Sequence, residues 1–66
     1  MLVSCTALID NEAQIENLCQ CIEILGGKPE VDGCSVGVAY EGNQVTAEKF
    51  IELFEHYPFH NITVIE

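Results

Sequence analysis

Cys34-Ser35-Val36-Gly37-Val38-Ala39-Tyr40 is the stretch from which the fold follows. Cys34, Val36, Val38 and Tyr40 fall on one side of an extended chain, and Ser35, Gly37 and Ala39 on the other. Alternation with period two over seven residues, rich in valine, marks a half-buried strand. The stretch lies mid-chain with an amphipathic segment on either side. It therefore reads as the central strand of a small sheet.

Upstream, Leu2 to Ile9 alternates in the same way, with Val3, Cys5, Ala7 and Ile9 opposed to Leu2, Ser4, Thr6 and Leu8. Asp10 and Asn11 stop this first strand. Asn11, followed three residues later by Gln14, resembles a capping box. The helix it opens runs from about Glu12 to Leu25, because Ile15, Leu18, Ile22 and Leu25 recur at helical steps and make one apolar face. Cys19 flanks that face. Gly26-Gly27 supplies the C-terminal stop, and Pro29 prevents continuation.

Asp32-Gly33 is a strong hairpin signal, so Lys28–Val31 is expected to be a short edge strand turning back into Cys34–Tyr40. Lys28, Pro29 and Glu30 would blunt that edge against unwanted pairing. Glu41-Gly42-Asn43 is the exit turn. Thr46 is the expected N-cap of a second helix, with Glu48 in its first turn. That helix runs to about Tyr57, buries Ala47, Phe50, Ile51 and Phe54, and ends before Pro58. His60 to Glu66 is the final strand, with Ile62 and Val64 alternating against Asn61, Thr63 and Ile65.

The order β-α-β-β-α-β predicts a single α+β domain over residues 1–66, a small ferredoxin-like sandwich. Both helices then lie on one face of a four-stranded antiparallel sheet. Dropping the weak edge strand leaves the alternative, a three-stranded β-α-β-α-β arrangement with parallel strands. Mixed polar and apolar alternation favours the antiparallel version, since buried parallel strands read as continuous apolar runs.

Sixty-six residues bury only about 60% of the extended-chain surface, so the core is thin unless a disulfide, a metal or a second subunit adds to it. Hydrophobic content of 48% argues against disorder. No apolar run is long enough to span a membrane, and Met1-Leu2-Val3-Ser4 lacks a basic leader, so a cytoplasmic location is expected. Eleven acids oppose Lys28 and Lys49, with no Arg, for a net charge of −9. A chain with so few cations has almost nothing to place on phosphates, which argues against direct nucleic-acid binding and against docking to anionic membrane. Its field steers toward basic protein surfaces. The plainer use of such charge is to keep a small domain in solution.

The helix-facing side of the sheet is expected to hold Val3, Cys5, Ala7, Ile9, Val36, Val38, Tyr40, Ile62 and Val64. The other side holds Ser4, Thr6, Leu8, Ser35, Gly37, Ala39, Asn61, Thr63 and Ile65, with no charge among them. In so acidic a chain, a neutral face of small residues is expected to be an interface, through the flat sheet or its edge, with a homodimer as the favoured assembly. The acids gather on the helices instead: Glu12, Glu16 and Glu23 share one flank of the first, and Glu48, Glu52 and Glu55 share one of the second. Two such rows resemble the phosphate rows of a nucleic acid, and would occupy the basic groove of a nucleic-acid-handling protein. Two solvated helix faces are the ordinary alternative.

Four cysteines form no Cys-x-x-Cys motif and no zinc-finger spacing. Cys19 and Cys21 point about 200° apart on a helix, and Cys5 and Cys34 are expected to face the core as reduced thiols, with a bridge between them as an option. Cys21 is the thiol expected to be exposed. His56 and His60 stand four apart, but Pro58 breaks the helix between them. No metal, cofactor or catalytic residue is therefore assigned. The expected function is a non-enzymatic protein-binding module that inhibits or regulates a basic, nucleic-acid-handling partner, as would suit a phage or plasmid inhibitor. In element order the chain also resembles ACT-type regulatory domains, a resemblance that implies the alternative of a dimeric small-molecule sensor.

Overall fold

The structure, a computed structural model, describes residues 1–65, so Glu66, the expected last residue of the final strand, lies outside the described residues. The elements follow the expected order: β1 (Leu2–Leu8), α1 (Glu12–Ile24), β2 (Glu30–Asp32), β3 (Ser35–Glu41), α2 (Gln44–Glu55) and β4 (His60–Ile65). The strands form one sheet in the order β2-β3-β1-β4, and every neighbouring pair is antiparallel. This is the ferredoxin-like layout, and the three-stranded alternative drops out.

Cross-strand partners share a face. Val3 stands opposite Tyr40 and Val64, Cys5 opposite Val38 and Ile62, and Ala7 opposite Val36. From this side Val3, Cys5, Ala7, Val36 and Val38 meet Leu18 and Ile22 of α1 and Ala47, Phe50 and Phe54 of α2 in one core. Both helices therefore cover the same face, as their apolar stripes require. The Tyr40 and Phe50 rings pack tilted, 5.1 Å between centroids, in the range of favourable aromatic pairs.

Caps explain where the helices start and stop. Asn11 Oδ1 accepts from the backbone N–H of Ala13 and of Gln14, at 2.9 and 3.2 Å. At the other end of α1, Gly27 N–H donates to Ile22 O and Gly26 N–H to Glu23 O, with Gly26 at φ 90°. That is a complete Schellman closure, and only a residue without a Cβ takes such a φ at little cost.

Five local expectations shift. The N-cap of α2 is Asn43, whose Oδ1 accepts from Thr46 N–H at 2.8 Å, not Thr46 itself. Asparagine and threonine compete as caps, and the earlier position adds about one turn at the start of the helix. Glu48 consequently sits beyond the first turn, which carries no acid. The helix also ends at Glu55, short of Tyr57. The early edge strand is Glu30–Asp32 instead of Lys28–Val31, because the hairpin loop is Gly33-Cys34. Gly33 has φ 62° and, among the described residues, no non-glycine residue has a positive φ, the pattern of a turn that needs glycine at its first loop position only. This one-residue shift lifts Cys34 out of the core into an exposed turn. Cys5 remains buried, and the four cysteines are free.

Candidate functional site

Three surfaces are available for binding: the helical face, the open face of the sheet and the outer edge of β4. On the helical face all six expected glutamates, Glu12, Glu16, Glu23, Glu48, Glu52 and Glu55, are exposed. At about 100° per residue, Glu12, Glu16 and Glu23 lie on the flank of α1 that also holds Cys19. Cys19 reports their proximity: burial first, then the charges of Glu23 and Glu16, push its thiol up from its ordinary value.

The two acidic rows do not meet. Between the helices runs a groove of about 340 Å³, lined by Cys21, Ile24 and Leu25 from α1 and Lys49, Glu52, Leu53 and His56 from α2. The flank of α1 that faces α2 is thus apolar, and its glutamates occupy the opposite flank. Glu52 is the only member of either row on the groove wall. The helical face is a pair of acidic ridges set apart by an apolar trough, with Ile24 at 83% exposure on its rim.

On the open face of the sheet, Ser4 stands opposite Ala39 and Thr63, and Thr6 opposite Gly37 and Asn61. The expected interface residues Ser4, Thr6, Leu8, Ala39, Asn61, Thr63 and Ile65 are exposed, and Ser35 is half-buried. The expectation of a charge-free face needs correction. Glu41 shares this face opposite Leu2, and Glu30 and Asp32 of β2 share it opposite Gly37 and Ser35. Neutrality holds over the β1–β4 half and is lost toward β2, since the register carries the short strand's acids onto this side.

Two features escaped the sequence reading. Phe59, 70% exposed, joins Leu8, Pro58, Thr6, Ser35 and Asn61 around a hollow of about 460 Å³ at one end of the open face. Its signal was an aromatic residue stranded between Pro58 and the last strand. The other is the backbone of β4. Leu8 N–H donates to Phe59 O, and Ile9 N–H to Cys34 O. These bonds set the phase of the ladder: even-numbered residues of β1 bond to β4 and odd-numbered ones to β3. In β4, therefore, Asn61, Thr63 and Ile65 turn their backbone groups toward β1, while His60, Ile62 and Val64 turn theirs outward.

Burial raises the Cys5 thiol to about 11, which holds it protonated and unreactive. His56 caps α2, whereas His60 opens β4 and bonds through Nδ1 to Tyr57 O, so the two belong to different elements. Among the described residues no group of three His, Cys, Asp or Glu side chains could hold a metal ion, and no helix is long and apolar enough to cross a membrane. Compared with family models, curated proteins and solved structures, the chain matches none.

Proposed function

We propose that the protein is a non-enzymatic protein-binding module whose acidic helical face docks on a basic surface of a nucleic-acid-handling partner and so inhibits or regulates it. The observation that supports this reading is the placement of the six exposed glutamates on α1 and α2, where Lys49 is the lone cation. A field of one sign over one face raises the encounter rate with an oppositely charged partner and fixes its orientation. Two acidic ridges on either side of a trough are the arrangement that a mimic of two phosphate rows would use. Capture from lysate by wild type and by a Glu12→Gln/Glu16→Gln/Glu23→Gln variant, at low and high salt, tests the reading. Partners with basic nucleic-acid-binding surfaces, lost in the variant and at high salt, are expected. Binding indifferent to ionic strength sinks it.

The apolar trough favours a second reading, a small-molecule sensor. Amino acids or nucleotides that occupied it at about 100 times their Kd would add roughly 2.7 kcal/mol of stability. A melting temperature that none of them moves removes this reading.

A further inference from the structure

We propose that β4 is a self-association edge: two copies join antiparallel through His60, Ile62 and Val64, merging their four-stranded sheets into one. The pairing surface is the strand edge and not the acidic helical face, whose Glu48 and Glu55 enter only through the salt dependence.

The backbone carries the first part of the case. His60, Ile62 and Val64 each hold one N–H and one C=O away from β1, as the ladder phase requires, and among the described residues β4 has no strand on its outer side. Natural edges are protected by charge, proline, bulges or brevity. The six residues of β4 contain no acid, lysine or proline, and its register against β1 runs without a bulge from Leu2↔Ile65 to Ala7↔His60. Apolar side chains line it, with Val64 43% and Ile65 56% exposed.

Self-complementarity of the strip under a two-fold favours a second copy as the occupant. Two molecules of net charge −9 repel over most of their surface, so they can meet only along a neutral strip. A two-fold axis at Ile62 sets Ile62 against its own symmetry mate and His60 against Val64 of the second copy. All three are residues with outward backbone groups, and within the paired strands no like charges are opposed. The same operation at β2, centred on Val31, sets Glu30 against Asp32 of the second copy. That edge rejects what β4 accepts.

The geometry also fixes the strength and the salt dependence. A six-residue strand is about 20 Å long, and its edge alone gives less than the roughly 800 Å² per partner of a standard stable interface. The dimer is therefore reversible and controlled by concentration. With Lys49, Leu53 and His56 lining the trough toward α1, Gln44, Ile51, Glu48 and Glu55 fall on the flank of α2 over β4. Pairing at β4 brings those glutamates of the two copies toward each other, so added salt tightens the dimer. Docking on a basic partner responds to salt in the opposite direction, and the two proposals can fail separately.

The test is mass by sedimentation together with residue-resolved amide exchange of the wild-type chain, at about 50 µM and about 1 mM and at low and high salt. The expected result is a monomer–dimer equilibrium that salt shifts toward dimer. The amides of His60, Ile62 and Val64 should gain about tenfold protection at high concentration, while that of Val31 is unchanged. Val64→Pro removes an outward N–H and no ladder bond to β1, so it should fold and weaken the dimer at least tenfold. A monomer at every concentration overturns the inference. So do protection at Val31 instead of β4, a dimer that salt dissolves, or full dimerisation of Val64→Pro. If that variant fails to fold, the amide pattern of the wild type decides alone.

Discussion

The two edges of the sheet are built on opposite terms. β2 is three residues long, exposed at each of them, preceded by Pro29 and carries Glu30 and Asp32; it hangs on β3 by a tight turn. β4 is six residues long, uncharged, and held between β1 and the α2 layer, with Ile62 packed against the core. An acidic edge of three residues cannot template another strand, whereas a neutral, regular one of six can. The difference teaches that the protein's charge is partitioned within the sheet as well as between its two faces. The β1–β4 half is the neutral half, on the open face and at the rim alike.

This comparison can be broken at several strengths. Phe54 is fully buried on the helix that covers β1 and β4. Phe54→Ala should cost about 3–5 kcal/mol in denaturant unfolding, close to the whole stability of so small a domain. Its amide protection should fall further along β4 than along β2; equal loss on both edges would mean that α2 does not support β4 selectively.

Next comes a pair of prolines one residue apart. Thr63→Pro removes an N–H that points into β1 and should cost about 1–3 kcal/mol, while Val64→Pro should cost much less. Equal losses would show that the ladder phase is wrong. Gly33→Ala asks a residue with a Cβ to hold φ 62°, at about 1 kcal/mol. It should loosen the amides of Glu30 and Asp32 and leave β4 unmoved.

A further effect, confined to alkaline pH, concerns the middle of the sheet, where Cys5 stands opposite both Val38 and Ile62. Burial raises its thiol from 9.0 to about 11, so the folded state favours the neutral form. Its stabilisation is present in full below about pH 9 and is lost as the pH rises through about 11. Melting temperature should fall over that interval, both edges should loosen together, and Cys5→Val should remove this part of the decline. A thiol reagent near pH 8 should modify exposed Cys21 and Cys34 first, Cys19 slowly and Cys5 only through unfolding.

The alternation of β1, β3 and β4, the apolar faces of both helices and the Gly26-Gly27 stop were legible in the chain, and so was the split of each strand into a core side and an open side. These depend on neighbours within a turn of helix or a few residues of strand, so local chemistry suffices to determine them. The exposed glutamates were legible for the same reason. The position of Cys34 was not: Asp32-Gly33 signals a hairpin, but the pairing of Asp32 with Ser35 chooses which residues form its loop. Nor was the choice of Asn43 over Thr46, where two good caps stand three residues apart and local sequence favours neither.

The sequence by itself determined which segments fold, which side of each is apolar and where the carboxylates sit along the chain. Only the tertiary structure decided that an apolar trough parts the acidic ridges, that Glu30, Asp32 and Glu41 reach the open face, and which backbone groups of β4 point to solvent. The physical reason is range. Helical and extended periodicity is written into adjacent residues, whereas strand order, register and ladder phase arise when distant segments meet around Phe50, Phe54 and Leu18 to empty the core of water.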